Sequence, residues 1–149
     1  MNRVIARLLP LIAALAAFMP ALLQAQGGPL IVYDAWMRKA PGADTAAVYL
    51  VLRNTSVQPV IVIGVRSTYA SHVMIHETST VSGQSRMRPH EKLVIAPGKS
   101  MALAPGGVHL MLTGFKKSPL IGQTVPLVLL LSNGETVAVA AVVKPLDGK

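Results

Sequence analysis

Cysteine is absent from the whole of this 149-residue sequence. Its absence excludes disulfide bonds, a thiolate nucleophile and any zinc site with cysteine ligands. It also excludes a blue-copper centre, because that type of centre requires a cysteine ligand. The fold must therefore be stabilised by a hydrophobic core without covalent cross-links.

Aromatic residues and clustered charges are scarce as well. Phe, Trp and Tyr make up 4% of the chain, and the formal net charge of +8 comes from basic residues scattered along the sequence. Nucleic-acid binding requires a basic patch combined with aromatic side chains that stack on bases. We therefore expect no nucleic-acid partner. A moderate positive field suits attraction to an acidic protein surface instead.

The first segment has the pattern of a secretory signal peptide. Residues 1–25 contain Arg3 and Arg7, no acidic residue, and an apolar run before the small residue Ala25. This order of basic, apolar and small residues is typical of a cleaved leader, although an uncleaved membrane anchor is the alternative. We predict export to the periplasm and a single mature domain, residues 26–149, with no membrane span. No cysteine follows the cleavage point, so we expect no lipid anchor.

The remainder of the chain consists of short apolar segments separated by residues typical of turns, such as Gly, Pro and Asn. None of them shows a helical period, and the segments recur roughly every 8–12 residues, which is typical of an antiparallel β-sandwich or barrel. The dipeptide Asn133-Gly134 between two apolar runs predicts a type I′ hairpin. The predicted strands cover residues 31–39, 46–53, 60–66, 72–77, 93–95, 100–104, 108–113, 124–131 and 136–143. The sequence thus predicts an all-β fold.

His109 and Met111 form a pair of adjacent metal donors. They are two residues apart on a predicted strand, so their side chains leave the same face. The alternating residues Leu110 and Leu112 leave the other face and fit a hydrophobic core. An imidazole and a thioether side by side can bind a metal ion, although ordinary packing or surface roles also fit either residue alone.

Two further donors come from the preceding part of the chain. His76 ends a predicted strand, and Gly83 permits a sharp reversal that brings Met87 back toward it. Two imidazoles and two thioethers would form a soft, uncharged donor set, which suits Cu(I) better than zinc, magnesium or calcium. From the residues alone, a metal site of this kind is one hypothesis, and a metal-free interaction module is another.

The spacing of these residues resembles the periplasmic copper chaperone family known as PCuAC. Its signature is a His, ten residues, a Met, twenty-one residues and then His-x-Met, and the chain matches it with His76, Met87, His109 and Met111. Met-Arg-Pro at residues 87–89 and the Pro-Gly-Gly-x-His-x-Met-Leu segment at residues 105–112 also resemble family segments. The likeness extends over nearly the whole mature chain.

The resemblance implies a cupredoxin-like antiparallel β-sandwich that binds one copper ion, with Cu(I) favoured and Cu(II) as the alternative. It implies that His76, Met87, His109 and Met111 are the copper ligands. It also implies a chaperone, not an enzyme, that passes copper to the CuA centre in subunit II of cytochrome c oxidase or to another copper chaperone. Copper storage or tolerance would use the same residues. We expect a monomer.

Several residues near the four candidate ligands have alternative roles. His72 and Met74 share the predicted strand face of His76, so they either extend the site or lie on the surface. Glu77 either hydrogen-bonds a ligand imidazole or faces solvent. Arg86 and Arg88 either meet an acidic partner or keep this loop soluble. His90 either faces solvent or serves as a further ligand. Packing roles are expected for Met37 and Met101. Trp36 either anchors the core or places its indole over the copper site.

Overall fold

The computed structural model describes residues 28–146, so the predicted signal peptide lies outside the described residues. This part of the chain contains ten β-strands, and none of its residues forms a helix long and apolar enough to cross a membrane. In chain order the strands are β1 Leu30–Lys39, β2 Thr45–Asn54, β3 Val60–Ser67, β4 Ala70–Val81, β5 Gln84–Pro89, β6 Leu93–Ile95, β7 Ser100–Leu103, β8 Val108–Phe115, β9 Thr124–Leu131 and β10 Thr136–Lys144.

The nine predicted strands are confirmed, and residues 84–89, for which no strand was predicted, form a tenth strand, β5. Two turns also differ from expectation. β4 is longer than predicted and joins β5 in a hairpin whose two central residues, Ser82 and Gly83, both have positive φ (52° and 75°). This is the geometry of a type I′ turn. The type I′ prediction for Asn133-Gly134 is wrong, because only Gly134 has a positive φ there, although β9 and β10 do form a hairpin.

The strands form one continuous hydrogen-bonded path in the order β5-β4-β8-β2-β1-β10-β9-β3-β6, with β7 also paired to β2. All pairs are antiparallel except β1 with β10, which is parallel. Buried residues from both halves of this path form one core cluster, so the half containing β4, β8 and β2 packs over the half containing β10, β9 and β3. The predicted fold class, an all-β cupredoxin-like sandwich, is confirmed.

The core lies between these two halves. Outside β5, alternate residues of the strands point inward, as in β9, where Val125, Leu127, Leu129 and Leu131 are all buried. Met37 is completely buried and Met101 packs against the core from its edge, as predicted for packing residues. The outer face of β4, β8 and β2 is not used by this core, and the candidate ligands lie there.

Candidate metal centre

His76 and His109 are directly opposite each other on neighbouring strands. β4 pairs with β8 in a register that places His76 against His109, and their ring centroids are 6.1 Å apart. Their backbone neighbours Ile75 and Leu110 form the next pair and are buried in the core on the other face. The pairing thus fixes two imidazoles side by side on the outer face of the sheet.

The backbone at the start of β8 orients the ring of His109. Its Nδ1 lies 3.0 Å from the carbonyl oxygen of Gly107, and the residue is 4% exposed. Because a carbonyl oxygen can only accept a hydrogen bond, Nδ1 carries the hydrogen and Nε2 keeps a free lone pair. Metal-binding histidines are commonly oriented in this way, by donating the hydrogen of the second ring nitrogen to a carbonyl.

The ring of His76 has an unsatisfied polar atom. Its Nδ1 is buried and has no hydrogen-bond partner among the described residues. Burial lowers the pKa of His76 below its ordinary value of 6.5, and repulsion from His109 lowers it further. Both effects favour the neutral, metal-binding form of the imidazole. Buried polar atoms are rarely left unpaired, and a bound metal ion would satisfy this one.

The two predicted methionine ligands lie on either side of the histidine pair. Met111 is two residues beyond His109 on β8, whereas Met87 on β5 is paired with Thr78, two residues beyond His76 on β4. Residues that face each other across neighbouring strands point to the same side of the sheet. Both thioethers therefore share the outer face with the imidazoles, one in each direction along the strands.

The turn at Ser82-Gly83 sets the position of Met87. A two-residue turn allows one register for the β4–β5 hairpin, and a slip of one residue would send every β5 side chain to the other face. All of β5 is exposed, including Met87 at 49%. Met87 is therefore the candidate ligand with the fewest packing restraints.

An aromatic group that sequence analysis missed supports the histidine pair. The ring of Tyr49 on β2 is buried, and its centroid lies 6.3 Å from that of His109. Trp36 packs on the other side of Tyr49 with a centroid distance of 4.7 Å, and Arg38 donates a hydrogen bond of 3.0 Å to the tyrosine hydroxyl. The only signal in the sequence was the alternation within β2, because the contact to His109 depends on strand pairing.

Trp36 was considered as a core anchor, and the structure places it elsewhere. It pairs with Tyr49 on the outer face of the sheet and is partly exposed. A β-bulge between Tyr33 and Trp36, where Asp34 has a φ of 54°, changes the face on which the later residues of β1 project. Sequence alternation across β1 could not reveal this change.

The neighbouring charged residues do not join the candidate ligands. Glu77 was considered as a partner of a ligand imidazole, but it leaves the opposite face from His76 and lies 3.7 Å from the Nδ1 of His90. Arg86 and Arg88 alternate with Met87 and also leave the opposite face. Within residues 28–146, no cluster of three or more His, Cys, Asp or Glu side chains could hold a metal ion.

The chemistry of this face fits a soft, monovalent cation. It combines two imidazoles, one with a free Nε2 and the other with an unpaired buried nitrogen, and thioethers from Met87 and Met111. Thioethers are good ligands for Cu(I) and poor ones for magnesium or calcium, which prefer oxygen. The donor set therefore suits a copper ion as cargo.

Solved structures share this fold. The chain is 30% identical to apo-DR1885 from Deinococcus radiodurans, with 97% of this chain and 100% of that chain covered and a TM-score of 0.63. A copper-bound PCuAC domain from PmoF2 is 23% identical, with 79% of this chain and 94% of that chain covered and a TM-score of 0.67. These likenesses define the class of the fold, a PCuAC-type cupredoxin-like domain, and confirm the resemblance seen in the sequence.

The relatives in sequence identify the family. The family model described as "Putative lipoprotein LpqE-like" matches residues 30–143. The "Putative lipoprotein Lxx21020" of Leifsonia xyli subsp. xyli (strain CTCB07) is 36% identical over 137 residues, which cover 89% of this chain and 82% of that protein. The chain belongs to the LpqE-like family.

Proposed function

We propose that this protein is a copper chaperone that binds one Cu(I) ion through His76, Met87, His109 and Met111 and has no catalytic activity of its own. The observation that carries the proposal is the pairing of His76 with His109 between two flanking thioethers. The face brings together neutral nitrogen and sulfur donors without a thiolate or a carboxylate, which favours Cu(I) over divalent ions.

Relatives of known structure support copper as the cargo. The structure of DR1885 from Deinococcus radiodurans has been solved with Cu(I), and the chain in that structure is 28% identical to this one. The PCuAC domain from PmoF2 has been solved with copper bound and in the apo form. The same fold therefore binds copper in proteins that resemble this chain over most of its length.

Transfer proceeds by ligand exchange in this proposal. A donor of the acceptor protein forms a bond to copper as one ligand of the chaperone leaves, so the ion is never free. Met87 is the ligand best placed to leave, because it lies on the fully exposed β5, whereas His109 is buried and fixed by the Gly107 carbonyl. The two imidazoles hold the ion while the exposed thioether exchanges.

We further propose that the protein acts in the periplasm and passes copper to the CuA centre in subunit II of cytochrome c oxidase, or to another copper chaperone. The basic and apolar leader at residues 1–25 supports export. The relatives named as lipoproteins also support export, although this sequence contains no cysteine that could carry a lipid. Resemblance to PCuAC supports the recipient.

A competition titration tests the copper proposal. The protein and a chromophoric Cu(I) chelator compete for copper under anaerobic, reducing conditions. The wild type is expected to take one equivalent from the chelator, and the double variant His109→Ala/Met111→Ala is expected to compete much more weakly. Met101→Leu, a change at the edge of the core, is the matched control and should compete like the wild type. Equal competition by the double variant would eliminate the copper proposal.

Transfer is tested with the loaded protein and a soluble CuA domain as the acceptor. The proposal expects the absorption bands of the CuA centre to appear faster from the copper-loaded chaperone than from the same copper concentration held by the chelator. If the two sources load the CuA domain at the same rate, the chaperone gives no specific delivery and the recipient assignment is wrong.

A further inference from the structure

Met74 lies on the candidate metal face but is not one of the four proposed ligands. It is directly paired with Met111, and this pair is next to the pair formed by His76 and His109. Side chains in directly opposed positions have Cβ atoms roughly 5 Å apart, so the two thioethers are neighbours. Met74 is 42% exposed, so its thioether is accessible to solvent.

The side chain of Met74 has room to move. β5 ends at Pro89, which is paired with His76, so no strand covers Met74 on that side. A cavity of about 220 Å³ lies there instead, lined by Met74, Pro89 and His90 among others. Methionine has three rotatable bonds and adapts easily to such a space. Because Met74 is exposed and shares its face with His76, its sulfur can turn toward either the histidine pair or the solvent.

The donors form a row along the strands. Met87 lies on one side of the histidine pair, at the level of Thr78, and Met74 and Met111 lie together on the other side. Met87 and Met74 are both exposed, whereas His109 is buried between them. An ion held by the two imidazoles thus has an exposed thioether available in each direction.

We propose that Met74 is a fifth copper(I) donor that exchanges with Met87 during release. This inference rests on the proposed function and concerns the release of copper from the same site. In the exchange, the bond from copper to the sulfur of Met87 breaks while a bond to the sulfur of Met74 forms. Copper remains Cu(I), and no electron or proton moves. The ion then sits beside Met111 and Met74, where an acceptor can reach it.

Methyl spectra of methionine test whether Met74 lies beside the bound ion, as an exchange donor must. The whole chain is labelled with ¹³C at the methionine methyl groups, and one equivalent of Cu(I) is added without oxygen. The signals of Met74, Met87 and Met111 are expected to shift, and those of Met37 and Met101, which lie off this face, are expected to stay. If Met87 and Met111 shift while Met74 does not, the fifth donor is refuted and the four-ligand site stands. If no methionine shifts, the proposed function itself is wrong.

Release kinetics distinguish an exchange donor from a resident ligand. Loss of a resident ligand accelerates release, so Met111→Leu should give up Cu(I) to excess chromophoric chelator faster than the wild type. Loss of an exchange donor should have the opposite effect on the release rate. We expect Met74→Leu to release Cu(I) roughly fivefold more slowly than the wild type. Met101→Leu is the matched control. Release from Met74→Leu at the wild-type rate or faster would overturn the proposal.

Discussion

Replacing His109 with alanine removes a candidate ligand from the centre of the site, and the structure allows its cost in the apo-protein to be worked out. The hydrogen bond from Nδ1 to the Gly107 carbonyl is lost, which costs about 1 kcal/mol. That carbonyl is not orphaned, because it also accepts the Thr78 N–H at 3.1 Å. Loss of contact with the Tyr49 ring adds about 1 kcal/mol. The apo-protein should therefore lose about 2 kcal/mol of stability and remain folded.

The effect on copper should be much larger. Removing a group that merely orients a metal ligand weakens metal binding by about 10–100-fold, so loss of the ligand itself should cost more than about 100-fold. That factor corresponds to about 2.8 kcal/mol of binding free energy. The assay is the anaerobic Cu(I) competition titration, with circular dichroism to confirm folding. His90→Ala, whose side chain interacts with Glu77 on the other face, is the matched control. A folded His109→Ala variant that keeps wild-type affinity would refute the reasoning.

Three further predictions concern the apo-protein and its stability. Because the pKa of His76 is lowered below 6.5, the unfolded chain binds a proton at this residue more readily than the folded protein does. The free energy of unfolding in urea should therefore fall as the pH drops from about 7 to 5, and His76→Gln should make this dependence on pH weaker. The same pH dependence in the variant and the wild type would contradict the partial burial of His76. Gly83→Val forces a β-branched residue to a φ of 75° and should destabilise the β4–β5 hairpin by about 1–2 kcal/mol. Amide hydrogen exchange in the variant should be faster than in the wild type for β5 but unchanged for β9. Exchange in β5 at the wild-type rate would refute the turn assignment. Leu110→Ala should lower the free energy of unfolding by about 2–5 kcal/mol in urea titrations while Cu(I) affinity of the folded protein is retained, since Leu110 faces the core; a loss below 1 kcal/mol would contradict that placement.

Much of the fold was predictable because strand signals are local. Alternation and turn residues located nine of the strands, and the runs at 93–95 and 124–131 match β6 and β9 to the residue. The turn types were less predictable. Asn-Gly favours a type I′ turn, yet the loop before β10 has a positive φ only at Gly134, while Ser82-Gly83 adopts the type I′ geometry. Serine rarely adopts a positive φ, so the type of this turn could not be predicted from the sequence.

The candidate site was predictable only in part. Period two within β8 brings His109 and Met111 to one face, and this can be read from the sequence. The partnership of His76 with His109 depends on the register of two strands that are far apart in the chain, and only the family resemblance linked them. The same register pairs Met74 with Met111, whereas the pairing of β2 with β8 places Tyr49 near His109. No local pattern encodes either contact.

X-ray absorption at the copper edge of the Cu(I)-loaded protein tests the central claim most directly. Two nitrogen and two sulfur neighbours are predicted at the copper ion, since His76 and His109 supply nitrogen and Met87 and Met111 supply sulfur. Met111→Leu should reduce the sulfur count without changing the nitrogen count. A copper ion surrounded by nitrogen or oxygen alone, with no sulfur neighbour, would contradict the account.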